Sequence, residues 1–116
     1  MDEVLHVGAD AGDFALHLGD VDARAPTGML SPLLLLEALT QAAAAFRGQQ
    51  RSGQEQSGYL VEIVDARFQG GLPVGHTAIL SIRETHVLGT LVRFTGYASA
   101  GDVRLVAATF TVAAKE

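Results

Sequence analysis

The chain has 116 residues, thirteen acidic and eight basic, for a net charge of −5, and no cysteine. This excludes a disulfide scaffold, a thiol nucleophile and a thiolate metal site, and it argues against nucleic acid as a partner, because phosphate binding needs clustered positive charge. With 48% hydrophobic and 18% charged residues, residues 1–116 read as one globular domain able to bury a core.

Met1-Asp2-Glu3 offers neither the basic start nor the apolar stretch of a secretory signal, so a cytoplasmic location is expected. Val4 to Val7 reads as a short strand and Gly8 to Gly12 as a turn. Phe14, Leu16 and Leu18 then alternate with Ala15, His17 and Gly19, the period of a half-buried strand, which turns His17 away from the core. Asp20 to Met29, with Pro26 and Gly28, is irregular.

A helix is predicted from Leu33 to Arg47. Ser31 caps its free amides and Pro32 suits the first helical position. Leu30 and Leu35 take the two places of a hydrophobic staple, and Gly48 is expected to end the helix. The segment is apolar nearly all round, so burial on most sides is expected. It is too short and too often interrupted by polar residues to span a bilayer.

Gly48 to Ser57 reads as a polar loop and Gln69 to Gly75 as a bend. Tyr59 to Phe68, Thr77 to Val87, Leu91 to Ser99 and Val103 to Ala113 are strands, with turns at Leu88-Gly89-Thr90 and Ala100-Gly101-Asp102. Short turns make the last strands antiparallel neighbours. The class is therefore α+β, one helix surrounded by one curved antiparallel sheet.

Glu37 is the only charged residue between Leu30 and Phe46. If buried, its charge would be penalised and its proton held more tightly, as a general acid near neutral pH requires. Thr40 and Gln41 share its helix face; a solvent-facing polar stripe is the other reading of the three. His6, His17, His76 and His86 show no i, i+4 pair and no His-Glu-x-x-His, so no metal site is expected. Neither a serine elbow nor a glycine-rich phosphate loop is present, and no cofactor is expected.

Ser31-Pro32-Leu33-Leu34-Leu35-Leu36-Glu37-Ala38-Leu39-Thr40-Gln41 resembles the Pro-Gly-Val-x-x-x-Glu-Ala-x-x-Gln helix start of bacterial 3-hydroxyacyl-acyl-carrier-protein dehydratases. Ala66 to Gly75 is similar to their Phe-x-x-Pro-Val-x-Pro-Gly-Asp strand and bend, and Arg93 to Ala98 to their next strand but one. The resemblance covers most of the chain from Leu30 onward. It implies the hotdog fold, a long central helix wrapped by a curved antiparallel sheet, and a homodimer with an acyl-thioester tunnel at its interface. It implies Glu37 as catalytic acid with Gln41 beside it, and Ser31, Leu33, Arg67 and Phe68 as substrate contacts. The implied partner is an acyl carrier protein or a coenzyme A thioester, whose phosphate Arg67, with Arg47 or Arg51, would meet.

The chain departs from that family at one place. The family's catalytic His stands in a His-Phe-Pro-Gly loop before the helix; in register with Glu37, that position is Ala23, and the loop is shortened. His17 is the nearest stand-in. Three functional readings follow: dehydration with Glu37 as acid, thioester hydrolysis by Glu37 alone, and a non-catalytic acyl-carrier binder or heterodimer subunit.

Overall fold

The structure, a computed structural model, describes residues 2–50 and 58–114. The elements are β1 (Glu3–Val7), β2 (Ala11–His17), β3 (Met29–Leu30), α1 (Pro32–Gln50), β4 (Gly58–Phe68), β5 (Leu72–Pro73), β6 (Thr77–Leu88), β7 (Leu91–Ala100) and β8 (Val103–Ala114). Six strands form one antiparallel sheet in the order β1-β2-β6-β7-β8-β4, and β3 pairs with β5 in a separate two-stranded ladder.

Local chemistry explains the hairpins. β6 turns into β7 through Gly89 (φ 61°) and β7 into β8 through Gly101 (φ 59°), backbone that glycine adopts without a Cβ penalty. Strand alternation then sorts the faces. Ala78, Leu80 and Ile82 of β6, Val92, Phe94 and Ala98 of β7, and Val106, Ala108 and Phe110 of β8 are buried on the face that meets α1.

The helix contributes Leu35, Leu39, Ala42 and Phe46, spaced to share one stripe and each fully buried. Phe46 meets Phe94 edge-on at 6.1 Å between centroids, and Phe94 stacks on Phe110 at 5.9 Å. Close approach needs Gly96: a Cβ there would lie 3.1 Å from Ile82 and 3.5 Å from Leu39. The helix start is capped as the sequence implies, with Ser31 Oγ accepting from the Leu33 amide at 3.1 Å.

Four expectations need correction. The helix does not stop at Gly48 but runs to Gln50; a helical glycine costs only about 1 kcal/mol, less than the rest of the segment supplies. Its 19 residues span about 28 Å of a molecule 40 Å along its longest axis, so it is shorter than the expected long central helix. Nor is it buried on most sides: Leu33 is 67% exposed and Leu34 41%, with Glu37 and Gln41 exposed beside them. Finally, β3 and β5 lie where irregular chain was expected. Residues 51–57 of the expected loop fall outside the described residues. Among the described residues no helix is long and apolar enough to cross a membrane.

Candidate active site

The site is built where the first turns of α1 meet the end of β2 and the connection from Leu18 to Gly28. That connection is fixed by a local ion pair. Asp22 accepts from the Arg24 amide at 3.0 Å and from Arg24 Nε and Nη2 at 2.9 and 2.8 Å. Arg24 Nη2 also donates to the His17 carbonyl at 2.9 Å, which ties the loop to β2. The Arg24 hydrogen bonds hold the Asp22 carboxyl well below the usual carboxylate range and raise the guanidinium in turn. The Gln69–Gly75 bend leans on the same loop, with the Gly75 amide donating to the Leu18 and Gly19 carbonyls at 3.0 Å each.

Together these elements leave a cleft of about 230 Å³ lined by Leu16, Arg24, Leu30, Leu34, Glu37, Ala38 and Gln41. Its walls are apolar, and its polar groups are the Glu37 carboxylate, the Gln41 amide one helical turn on, and Arg24. Thr40 does not join them: its hydroxyl donates to the Glu37 carbonyl at 2.7 Å. Among the described residues the Glu37 carboxylate has no hydrogen bond or ion pair, and it is exposed. The burial that the sequence argument invoked for Glu37 is therefore absent in the single chain.

Of the residues singled out from sequence, Glu37 and Gln41 come together, with Ser31 and Leu33 at the helix start nearby in sequence. His17 does not join them. Leu16 lines the cleft, and the next residue faces the other way: His17 Nδ1 sits 3.0 Å from Thr77 Oγ1 and Nε2 2.9 Å from Glu3 Oε1. Arg67 lies on the sheet face away from α1, its side chain 79% exposed and 3.6 Å from Asp65. Phe68, 46% exposed, is at the end of β4. Arg47 is already held by Glu84 at 3.2 Å, and Arg51 is outside the described residues. Sequence reasoning missed Arg24 as a cleft residue. The Asp22-x-Arg24 spacing, next to the position in register with the family's His, was the signal for it.

A second feature lies at the far edge of the sheet. Among the described residues β4 pairs only with β8, and its other edge is open. Leu60, Val61, Ile63, Val64 and Phe68 along it are 42–51% exposed, and its register slips at two bulges, between Leu60 and Glu62 and between Ile63 and Asp65. An open edge with this much apolar surface needs cover.

No family model matches the chain, and no curated protein does. Solved structures do. A chain of the dehydratase heterocomplex ApeI:P from Xenorhabdus doucetiae superposes with a TM-score of 0.83 at 15% identity, over 98% of this chain and 81% of that one. A probable thioesterase from Bartonella henselae gives 0.71 at 15% identity, over 93% and 92%. The smu.793 protein of Streptococcus mutans, bound to acetyl CoA, gives 0.73 at 11% identity, over 97% and 87%. The fold is the hotdog fold. At these identities the likeness is one of fold, and this hotdog chain's chemistry has to be argued from its own cleft.

Proposed function

We propose that this hotdog protein processes acyl thioesters and that its chemistry is of the dehydratase type, with Glu37 as acid. The observation that carries the reading is the cleft: one carboxylate, unpaired among the described residues, on a helix start that resembles the dehydratase motif, lines an apolar trough suited to an acyl chain. In dehydration Glu37 gives its proton to the C3 hydroxyl, which leaves as water. A base takes the C2 proton, and the C2–H electron pair becomes the C2–C3 double bond. The helix dipole, positive at its N-terminal end, polarises the thioester carbonyl.

The base is assigned to a second hotdog chain. Among the described residues none of the cleft-lining side chains is an imidazole. The open β4 edge and the exposed Leu33 and Leu34 supply apolar surface for such a chain. Covering the cleft would take Glu37 out of water. The dehydratase heterocomplex neighbour supports a two-chain reading, and the acetyl CoA-bound neighbour supports a pantetheine thioester as ligand.

Thioester hydrolysis is the second reading, favoured by the presence of a lone carboxylate with an amide beside it. Here Glu37 would act as base or nucleophile, and no imidazole would be needed. One experiment separates the readings. The purified protein and Glu37→Gln are incubated with enoyl and 3-hydroxyacyl pantetheine thioesters and followed by mass. Glu37-dependent gain or loss of water supports dehydration. Glu37-dependent free thiol assigns hydrolysis instead. Silence in both channels, with acyl-thioester binding retained, overturns catalysis and leaves a carrier-binding or heterodimer subunit.

A further inference from the structure

Among the described residues that line the cleft, Arg24 is the one polar side chain that does not come from α1. Its guanidinium is fixed along one edge. Nε and Nη2 make a two-pronged contact with the Asp22 carboxylate at 2.9 and 2.8 Å, and Nη2 also donates to the His17 carbonyl at 2.9 Å. Asp22 is itself held, accepting from the Arg24 amide at 3.0 Å and the Gly19 amide at 3.3 Å. Among the described residues Nη1 makes no hydrogen bond; Asp2 stands 3.9 Å from it, beyond hydrogen-bond reach. A planar fork pinned on one side leaves its remaining donors aimed in a set direction, and the side chain is 44% exposed, so a ligand can reach it.

We propose that Arg24 binds the carbonyl oxygen of the acyl thioester through Nη1 and stabilises the negative charge that develops there, an inference that rests on the acyl-thioester reading. The helix start leaves this task to a side chain. Pro32 has no amide hydrogen, the Leu33 amide is taken by Ser31 Oγ at 3.1 Å, and the Leu34 and Leu35 amides donate to the Ser31 carbonyl at 3.0 and 3.1 Å. The first turn therefore supplies a dipole but no free donor at these positions, and an oxygen gaining charge needs a donor as well. Arg24 enters the cleft from the connection after β2, whereas Glu37 and Gln41 enter from α1. An acyl group lying between the two elements can offer its C3 hydroxyl to Glu37 and its carbonyl to Arg24.

Charge accounting selects the oxygen. Asp22 already offsets the guanidinium, and Glu37 adds a carboxylate that has no ion pair among the described residues. The cleft with its anchor is net negative, which opposes an acyl group ending in a free carboxylate. It suits a neutral oxygen that becomes charged only during reaction. The thioester carbonyl is that oxygen in either chemistry. In dehydration the base takes the C2 proton and the C2–H electron pair shifts partly onto the carbonyl oxygen. The pair then forms the C2–C3 double bond as the C3–O bond breaks and Glu37 protonates the departing hydroxyl. In hydrolysis with Glu37 as base, water adds to the carbonyl carbon, its proton passes to Glu37 and the C=O π pair moves to the oxygen. The pair returns as the C–S bond breaks and the thiolate takes the proton.

The test is isothermal titration with a pair of stable probes. One is an acyl pantetheine in which methylene replaces the sulfur, leaving an unreactive ketone; the other is the same compound with the carbonyl reduced to methylene. Wild type is expected to bind the ketone on the order of tenfold more tightly. Arg24→Met is expected to bind both alike, and so is Arg24→Lys, which keeps a charge beside Asp22 but loses the fork. Thermal unfolding of each variant checks that it folds. A loop that is merely loosened would weaken both probes together and leave their ratio unchanged, so the ratio reads contact with the oxygen. Equal binding of the probes by wild type, or a preference that survives in a folded Arg24 variant, overturns the role of Arg24 and leaves the acyl-thioester reading standing. Binding of neither probe overturns both.

Discussion

Gly71 sets the position of the helix start, and adding one methyl group there tests that directly. A Cβ on Gly71 would stand 2.5 Å from the Leu30 carbonyl oxygen and 2.7 Å from Met29 Cγ. Met29 is an exposed, flexible side chain and can swing away. The Leu30 carbonyl is backbone, and ordinary contact begins at 3.4 Å, so β3 and β5 must separate by roughly 0.9 Å. Their ladder has only two pairs, Met29 with Pro73 and Leu30 with Leu72, and proline contributes no amide hydrogen. Leu30 and Leu72, 2% and 0% exposed, would be displaced from the core. Overpacking of this kind costs about 1–3 kcal/mol, or roughly 4–12 °C in Tm for a domain of this size. Because Ser31 follows Leu30 directly, the cap and Glu37 would move with it. Gly70→Ala is the internal control: its Cβ would meet only Leu105 at 3.6 Å, and a change from no loss to a slight gain is expected. Differential scanning calorimetry on the two variants reads the result. A Gly71→Ala protein melting at or above Gly70→Ala would refute the reasoning.

Three further outcomes are expected. The folded Asp22 carboxyl titrates below its unfolded value of 3.8, so its stabilisation is full above that pH and is lost as pH falls toward the folded value. The Tm gap between wild type and Asp22→Asn should hold steady from about pH 5 to 7 and close below 3.8. Glu84 and Arg47 are 15% and 16% exposed, and Arg47 Nε is buried without a hydrogen bond, so Glu84→Ala should cost about 1–3 kcal/mol in urea unfolding. The exposed Glu62–Arg93 pair, 58% and 42% exposed, should lose under 1 kcal/mol or so on Glu62→Ala. Equal losses in the two would refute the burial argument. Glu37→Gln should leave the melting temperature within about 2 °C of wild type, since an exposed carboxylate without a partner supports little structure; a large drop would mean the residue is structural.

Much of the fold was legible because it is written locally. Ser31 and Pro32 announce a helix through capping and a preset φ, and the alternation in β6, β7 and β8 sorts their two faces at a period of two. Gly89 and Gly101 mark hairpins because few other residues accept their backbone. Glu37 stood out as one charge in an apolar run, and its resemblance to a dehydratase helix start pointed to the hotdog fold. Parity along β2 placed His17 away from the core, where its bonds to Glu3 and Thr77 keep it.

Other features needed the folded chain. β3 and β5 are two residues each, too short for any period to register, and only their pairing makes them strands. The cleft draws Leu16, Arg24, Leu30 and Glu37 from the end of β2, the loop, β3 and α1, and no local pattern binds those segments. Sequence showed that α1 is apolar all round but not which side would be covered. Apolarity fixes how much surface must leave water, while the choice of covering surface belongs to whichever elements pack nearby. In this chain they cover the stripe of Leu35, Leu39, Ala42 and Phe46 and leave Leu33, Leu34 and Glu37 to meet whatever comes next.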